Sequence, residues 1–193
     1  MELQGATICS KLNQVQHSVV EGSTSELNCS YRNTVSKELV HRAAVSEVFL
    51  TDVEMISEDK FITGAHLPKT HAYYNDIPST NGKIFYDNIL LLEICRQTSI
   101  IITHNHYQVP LTAKFIFNEA KFRILDNNLL LMKSTPSSVL TEVDVISKDM
   151  RNGKLSGLTF EMRLYINGHL SATKLMDISW LDAAVWKKSD GSH

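Results

Sequence analysis

The sequence is short of the features that mark the specialised classes of protein. Its three cysteines, Cys9, Cys29 and Cys95, are odd in number and widely spaced. Without a C-x-x-C pair they give neither a disulfide framework nor a zinc site, and Cys95 reads as a small buried hydrophobe. No cluster of lysine or arginine disturbs the balance of 19 basic against 21 acidic residues, so nucleic acid has no basic surface to bind. None of the eight glycines builds a glycine-rich strand-to-helix turn, which disfavours a nucleotide-binding α/β fold. No uninterrupted apolar run reaches the 18 or so residues of a membrane span. The opening MELQGATICSKLNQVQHSVV lacks the basic start, apolar core and cleavage site of a secretory signal, so the cytoplasm is expected. Internal repeats, metal-ligand clusters and a Ser-His-Asp ordering are equally missing.

What is present is a chain of 193 residues, 43% hydrophobic and 21% charged, enough for one ordinary domain with a substantial core. Its organising stretch is DNILLLEICRQTSIIITHNH, Asp87 to His106. As a helix it is apolar almost all round, and such a helix is buried. Glu93, Arg96 and Gln97 fall three and four residues apart, on one narrow sector of it. Buried charge has to be satisfied locally, by a partner or by a ligand. Two readings stay open: an internal Glu93–Arg96 pair that fixes the register of a core helix, or a carboxylate with a tuned pKa at the floor of a pocket.

The elements around it follow from composition and periodicity. Residues 1–36, rich in Ser, Thr, Asn and Gln, read as a loosely ordered lead-in. Ser46 to Val53 favours a strand approached through Val40 to Ala44, and Phe61 to Leu67 a second one that Pro68 stops. The passage PKTHAYYNDIPSTNGKIFY is a long loop of the kind that forms lids or binding surfaces. Asp87 or Asn88 can cap the helix, and Pro110 prevents its continuation. Alternation then returns over Thr112 to Ile124 and Val139 to Ser147. In the last stretch Asn167-Gly168 joins two alternating runs as a type I′ hairpin. Two strands, a loop, one buried helix and four strands in antiparallel meander make an α+β hotdog fold, a curved antiparallel sheet wrapped around one long central helix. It is expected over 37–186, with 187–193 as a solvated tail.

Four blocks carry a resemblance to a family: LVHRAAVSEVFLTD, LPKTHAYYND, DNILLLEICRQTSI and HYQVPLTAKFIF. They follow one another from Leu39 to Phe117 as in the A-factor biosynthesis (AfsA-type) hotdog proteins, which the chain resembles. The resemblance implies acyl-thioester chemistry in γ-butyrolactone signal or secondary-metabolite biosynthesis. A β-ketoacyl group would pass from an acyl carrier protein or coenzyme A to a small hydroxylated acceptor, dihydroxyacetone phosphate in that family. It further implies that Glu93 and Arg96 form the catalytic pair, and it favours His71, in its H-x-Y-Y context. A phosphopantetheine or coenzyme A thioester is then the substrate carrier, with no tightly bound cofactor. Typical members have two tandem hotdog repeats and this chain has room for one, so a homodimer is expected.

A more distant likeness is to the hotdog dehydratases of fatty-acid synthesis. Val40-His41-Arg42, then Gly64-Ala65-His66-Leu67-Pro68 and a helix-borne acid are similar to their motifs, and His66 takes the position of their histidine. Dehydratase or thioesterase activity on carrier-bound chains is therefore an alternative, as is a non-catalytic acyl-binding module. Substrate-binding candidates are Gln97, Tyr73, Tyr74, His41 and Arg42; each also has a structural reading, the tyrosines as loop packing and His41 with Arg42 as an anchor of the sheet edge or helix end. Burial raises the pKa of a carboxylate such as Glu93 while an adjacent arginine lowers it. Pairing of that arginine with a substrate phosphate is expected to return basicity to Glu93.

Overall fold

The computed structural model describes residues 29–74 and 82–181. The first 28 residues of the expected lead-in, the middle of the long loop and the expected tail lie outside them. Six strands form one antiparallel sheet: β1 (Leu50–Ser57), β2 (Lys60–Leu67), β3 (Lys114–Ile124), β4 (Ser137–Arg151), β5 (Lys154–Ile166) and β6 (His169–Leu181). Their order is β1-β2-β4-β5-β6-β3, and the sheet embraces α1 (Asn88–Asn105), the one α-helix among the described residues.

The helix begins and ends where its sequence dictates. The Asp87 carboxylate accepts from the Ile89 N–H at 2.8 Å and caps the first turn. At the other end Gln108 takes a positive φ of 56° shortly before Pro110. Along its length Leu90, Leu91, Ile94, Cys95, Ile101 and Ile102 are fully buried. They meet the inward residues of the strands, among them Leu67, Val139, Phe160, Met162, Leu164 and Ile178. The described cysteines, Cys29 and Cys95, are free thiols.

Three expectations are corrected. The first strand runs from Leu50 to Ser57 instead of Ser46 to Val53, because the backbone at Glu47 and Phe49 is drawn to the buried amide of Gln97. The chain before it forms two short 3-10 turns, Lys37–Val40 and Val45–Glu47. Strand β4 continues past Ser147 to Arg151, because Asn152 and Gly153 turn it tightly with positive φ at both residues. The four late strands are not one meander. Only β4, β5 and β6 follow in spatial order, joined by the turns at Asn152-Gly153 and Asn167-Gly168, while β3 crosses to the far edge and pairs with β6.

Residues 30–35 are ordered on the sheet by Asp52. Its carboxylate accepts from the backbone N–H groups of Ser30 and Tyr31 at 2.9 and 3.0 Å and from the hydroxyls of Ser30 and Thr51. Gly64 leaves room for this segment: a Cβ there would stand 2.7 Å from the Asp52 carboxylate and 2.9 Å from Cys29. Among the described residues no helix is long and apolar enough to cross a membrane.

Candidate functional site

The site is built where the segment Lys37–Arg42 passes over the polar sector of α1. The i, i+3, i+4 spacing stacks Glu93, Arg96 and Gln97, and the overlying segment contributes Arg42. Glu93 is 7% exposed. Its Oε1 accepts from Arg42 Nε at 2.9 Å, Arg96 Nη2 at 2.9 Å and Gln97 Nε2 at 2.7 Å. Its Oε2 accepts from Arg96 Nε at 2.8 Å and pairs with Arg42 Nη2. A carboxylate offers about four lone-pair positions, so these donors saturate it. Burial pushes the Glu93 carboxyl up, but the hydrogen bonds from Arg96 and Arg42 outweigh it and hold the group below the ordinary glutamate range. The opposition expected from sequence thus resolves on the side of the arginines: in this arrangement Glu93 is an ionised anchor with no lone pair left for a base.

Each partner has a second contact. Arg96 Nη2 donates to the Val40 carbonyl at 3.2 Å, which ties the overlying segment to the helix. Gln97 donates to the Glu47 carbonyl at 2.7 Å and accepts from the Phe49 N–H at 3.0 Å, so its amide stands in for a strand neighbour. Two guanidinium groups share the one buried carboxylate of Glu93, and Arg42, which also pairs with the more exposed Glu47 at 4.0 Å, is the one that reaches outward. It lines a pocket of about 400 Å³ together with Glu47, Phe49, His71, Tyr73, Tyr74 and Ile89.

In that wall the Tyr73 N–H donates to His71 Nδ1 at 3.3 Å. A neutral imidazole that accepts at Nδ1 holds its proton on Nε2, so the tautomer makes His71 a donor. Its ring packs against Phe49 and Tyr74, with centroids 5.6 and 4.9 Å away. Tyr73 stands 70% exposed. Burial, and then the Glu93 charge, raise the Tyr74 phenol above its ordinary range.

The remaining sequence candidates lie elsewhere. His66 faces away from α1, since its neighbours Ala65 and Leu67 are the core-facing residues of β2. Its Nε2 donates to the Tyr31 carbonyl at 3.1 Å, and its Nδ1 is buried without a partner. Within the chain it is not brought to Glu93. His41 is the immediate neighbour of Arg42, yet its ring turns toward the far end of α1 and meets His104. Arg42, Glu93, Arg96 and Gln97 are brought together, with His71, Tyr73 and Tyr74 along the adjoining pocket. Glu47, Phe49 and Ile89 were not singled out from sequence. Glu47 and Phe49 share a block with Arg42, but only the buried Gln97 explains why the backbone turns there. Among the described residues no group of three or more His, Cys, Asp or Glu side chains could hold a metal ion.

Comparison with known proteins agrees with this frame. The family model of the A-factor biosynthesis hotdog domain matches residues 23–182. The chain belongs to the A-factor biosynthesis hotdog family. Among its relatives is a 2-oxo-3-(phosphooxy)propyl 3-oxoalkanoate synthase of Streptomyces virginiae, 31% identical over 163 residues, which are 83% of this chain and 53% of that protein. A synthase of the same name from Streptomyces griseus subsp. griseus is 25% identical over 99 residues, 51% of this chain and 30% of its own. The chain therefore spans about half, or less, of the curated relatives it matches. Among solved structures, a chain of a dehydratase heterocomplex from Xenorhabdus doucetiae superposes with a TM-score of 0.58 at 12% identity, covering 82% of this chain and 98% of that one. That likeness shows the hotdog fold.

Proposed function

We propose that this hotdog domain is an acyl-thioester enzyme that transfers an acyl group from a carrier protein or coenzyme A to a hydroxylated, phosphate-bearing acceptor. The observation that carries the reading is the bond between Arg42 and Glu93 at the edge of the pocket. Arg42 is the pocket-lining arginine of the cluster, so an entering phosphate competes with Glu93 and Glu47 for it. Once Arg42 turns to the phosphate, burial acts on Glu93 with one guanidinium fewer against it. Its carboxyl rises toward the range of a general base, and it can take the proton of the acceptor hydroxyl. His71 Nε2–H is the donor for the thioester carbonyl, whose oxygen gains charge as the hydroxyl attacks. The new ester bond forms as the carbon–sulfur bond breaks, and the thiol leaves on the carrier arm.

The relatives named as synthases support this reading. We propose that two copies of this chain pair through the β3 edge to complete the enzyme. Edge strand β3 carries Ile116 and Phe117, 37% and 43% exposed, while α1 packs toward the opposite side of the sheet on β1 and β2.

The test is intact-mass analysis of a β-ketoacylated carrier protein incubated with the enzyme, with and without dihydroxyacetone phosphate. Acyl loss that depends on the acceptor is expected. Loss without acceptor, releasing free thiol, marks a thioesterase. A conjugated enoyl product marks a dehydratase, and binding with neither outcome marks a non-catalytic module.

A further inference from the structure

Behind the pocket, two histidines far apart in sequence share a hydrogen bond. His104, 7% exposed near the end of α1, sets Nδ1 2.7 Å from the Val109 carbonyl. A carbonyl can only accept, so Nδ1 carries a proton and Nε2 of the neutral ring is a bare lone pair. That Nε2 lies 2.9 Å from His41 Nε2, which must therefore donate. The ring centroids lie 4.9 Å apart with the planes tilted by 39°, and Phe115 of β3 closes over both with centroid distances of 5.4 and 5.3 Å. His41 also takes a left-handed backbone, φ 52°, which for a non-glycine residue is a cost the surroundings have to offset. This turn sends the side chain of His41 toward the end of α1 and that of its neighbour Arg42 toward Glu93 in the middle.

We propose that the His41–His104 pair is a proton-sensitive latch that holds the His41 turn and thereby positions Arg42 in the pocket. His41 and His104 are positioning residues. With no proton beyond those of the neutral rings, or with one, the pair keeps its bond: a single added proton leaves one imidazolium donating to one neutral ring. With two, a pair of cations faces each other at 2.9 Å and the bond is lost. The groups facing His41 are His104 and Arg96 from α1, Lys114 from β3 and the Leu111 carbonyl. Burial first, then the charges of His104, Arg96 and Lys114, disfavour its protonation, against which the Leu111 carbonyl works. His41 is thus held toward its neutral, donating form, and acid sufficient to charge both rings opens the latch.

The inference rests on Arg42 being the cation of the pocket, but its test needs no ligand, so it fails separately from the proposed reaction. In nitrogen-resolved NMR of the full chain near neutral pH, His104 is expected as the Nδ1–H tautomer and His41 as the Nε2–H tautomer. The Nε–H of Arg42, held by Glu93, is expected to exchange slowly with water. His104→Leu removes the acceptor and speeds that exchange by about tenfold. His104→Gln, which can still accept from His41 but cannot titrate, restores the protection and removes its acid step. A His104 Nε2–H tautomer, or unchanged Arg42 exchange in His104→Leu, overturns the proposal. So does an acid step that survives in His104→Gln, since it then belongs to Glu93. Should His104→Leu fail to fold, His41→Phe, at the more exposed ring, reads the same exchange with the same expected and overturning results.

Discussion

At the scale of single residues, Glu93 joins structure to chemistry, and the two roles predict different things for one substitution. Glu93→Gln removes the charge that balances Arg42 and Arg96 while nearly preserving shape. Leaving two half-buried guanidinium groups without the carboxylate they share costs roughly 3 kcal/mol, to be read from urea unfolding. The pH dependence has a definite sign. The folded carboxyl titrates below its unfolded value, so its contribution is complete above the ordinary glutamate range and fades as pH falls through the folded value. The substituted protein is therefore expected to have a flatter acid limb of stability than the native one. Arg42→Ala leaves Glu93 its bonds from Arg96 and Gln97; acceptor-dependent transfer is expected to fall at least about a hundredfold, with a smaller loss of stability than in Glu93→Gln. Sequence made the Glu93, Arg96 and Gln97 stripe legible because helical spacing is local. It left Arg42 beside His41 as two like candidates. The left-handed turn that separates them, sending Arg42 to Glu93 and His41 to His104 near the end of α1, is a tertiary feature without a composition signal.

At the scale of elements, polar side chains decide where strands begin. Gln97 pairs with both backbone groups of the chain entering β1, and Gln97→Leu strands a buried N–H and a carbonyl. A loss of about 2 kcal/mol is expected, with faster amide exchange at Phe49. Asp52 does the same for the segment before it, so Asp52→Ala is expected to open the chain near Ser30 to limited proteolysis while the sheet keeps its far-UV signature. Of the elements themselves, α1 and the Asn167-Gly168 hairpin were readable outright: one from an apolar surface too complete for anything but burial, the other from two residues that both accept positive φ. Asn152-Gly153 carries the same signature and would have placed the end of β4. The start of β1 was unreadable, because Val45 and Val48 favour a strand and only a buried glutamine fifty residues later overrules them.

At the scale of the whole molecule, alternation identified each of the late strands but not their neighbours. Nothing in the pattern of β3 distinguishes an edge beside β6 from a place beside β4. Its position has a consequence for assembly. An eleven-residue edge strand with Ile116 and Phe117 exposed is the surface that the proposed second copy covers. Phe117→Lys is expected to shift the sedimentation coefficient from that of a dimer to that of a monomer without loss of secondary structure. The same topology sets an order of events in time. Strands β4, β5 and β6 are joined by two-residue turns and can close first, whereas β2 and β3 reach their places on either side of that nucleus only across long loops. Mutations in the three-strand nucleus should slow folding, and mutations in β3 should mainly hasten unfolding. The edge offered to a second chain is then among the last parts of the sheet to be made, so that association has to wait for folding to finish.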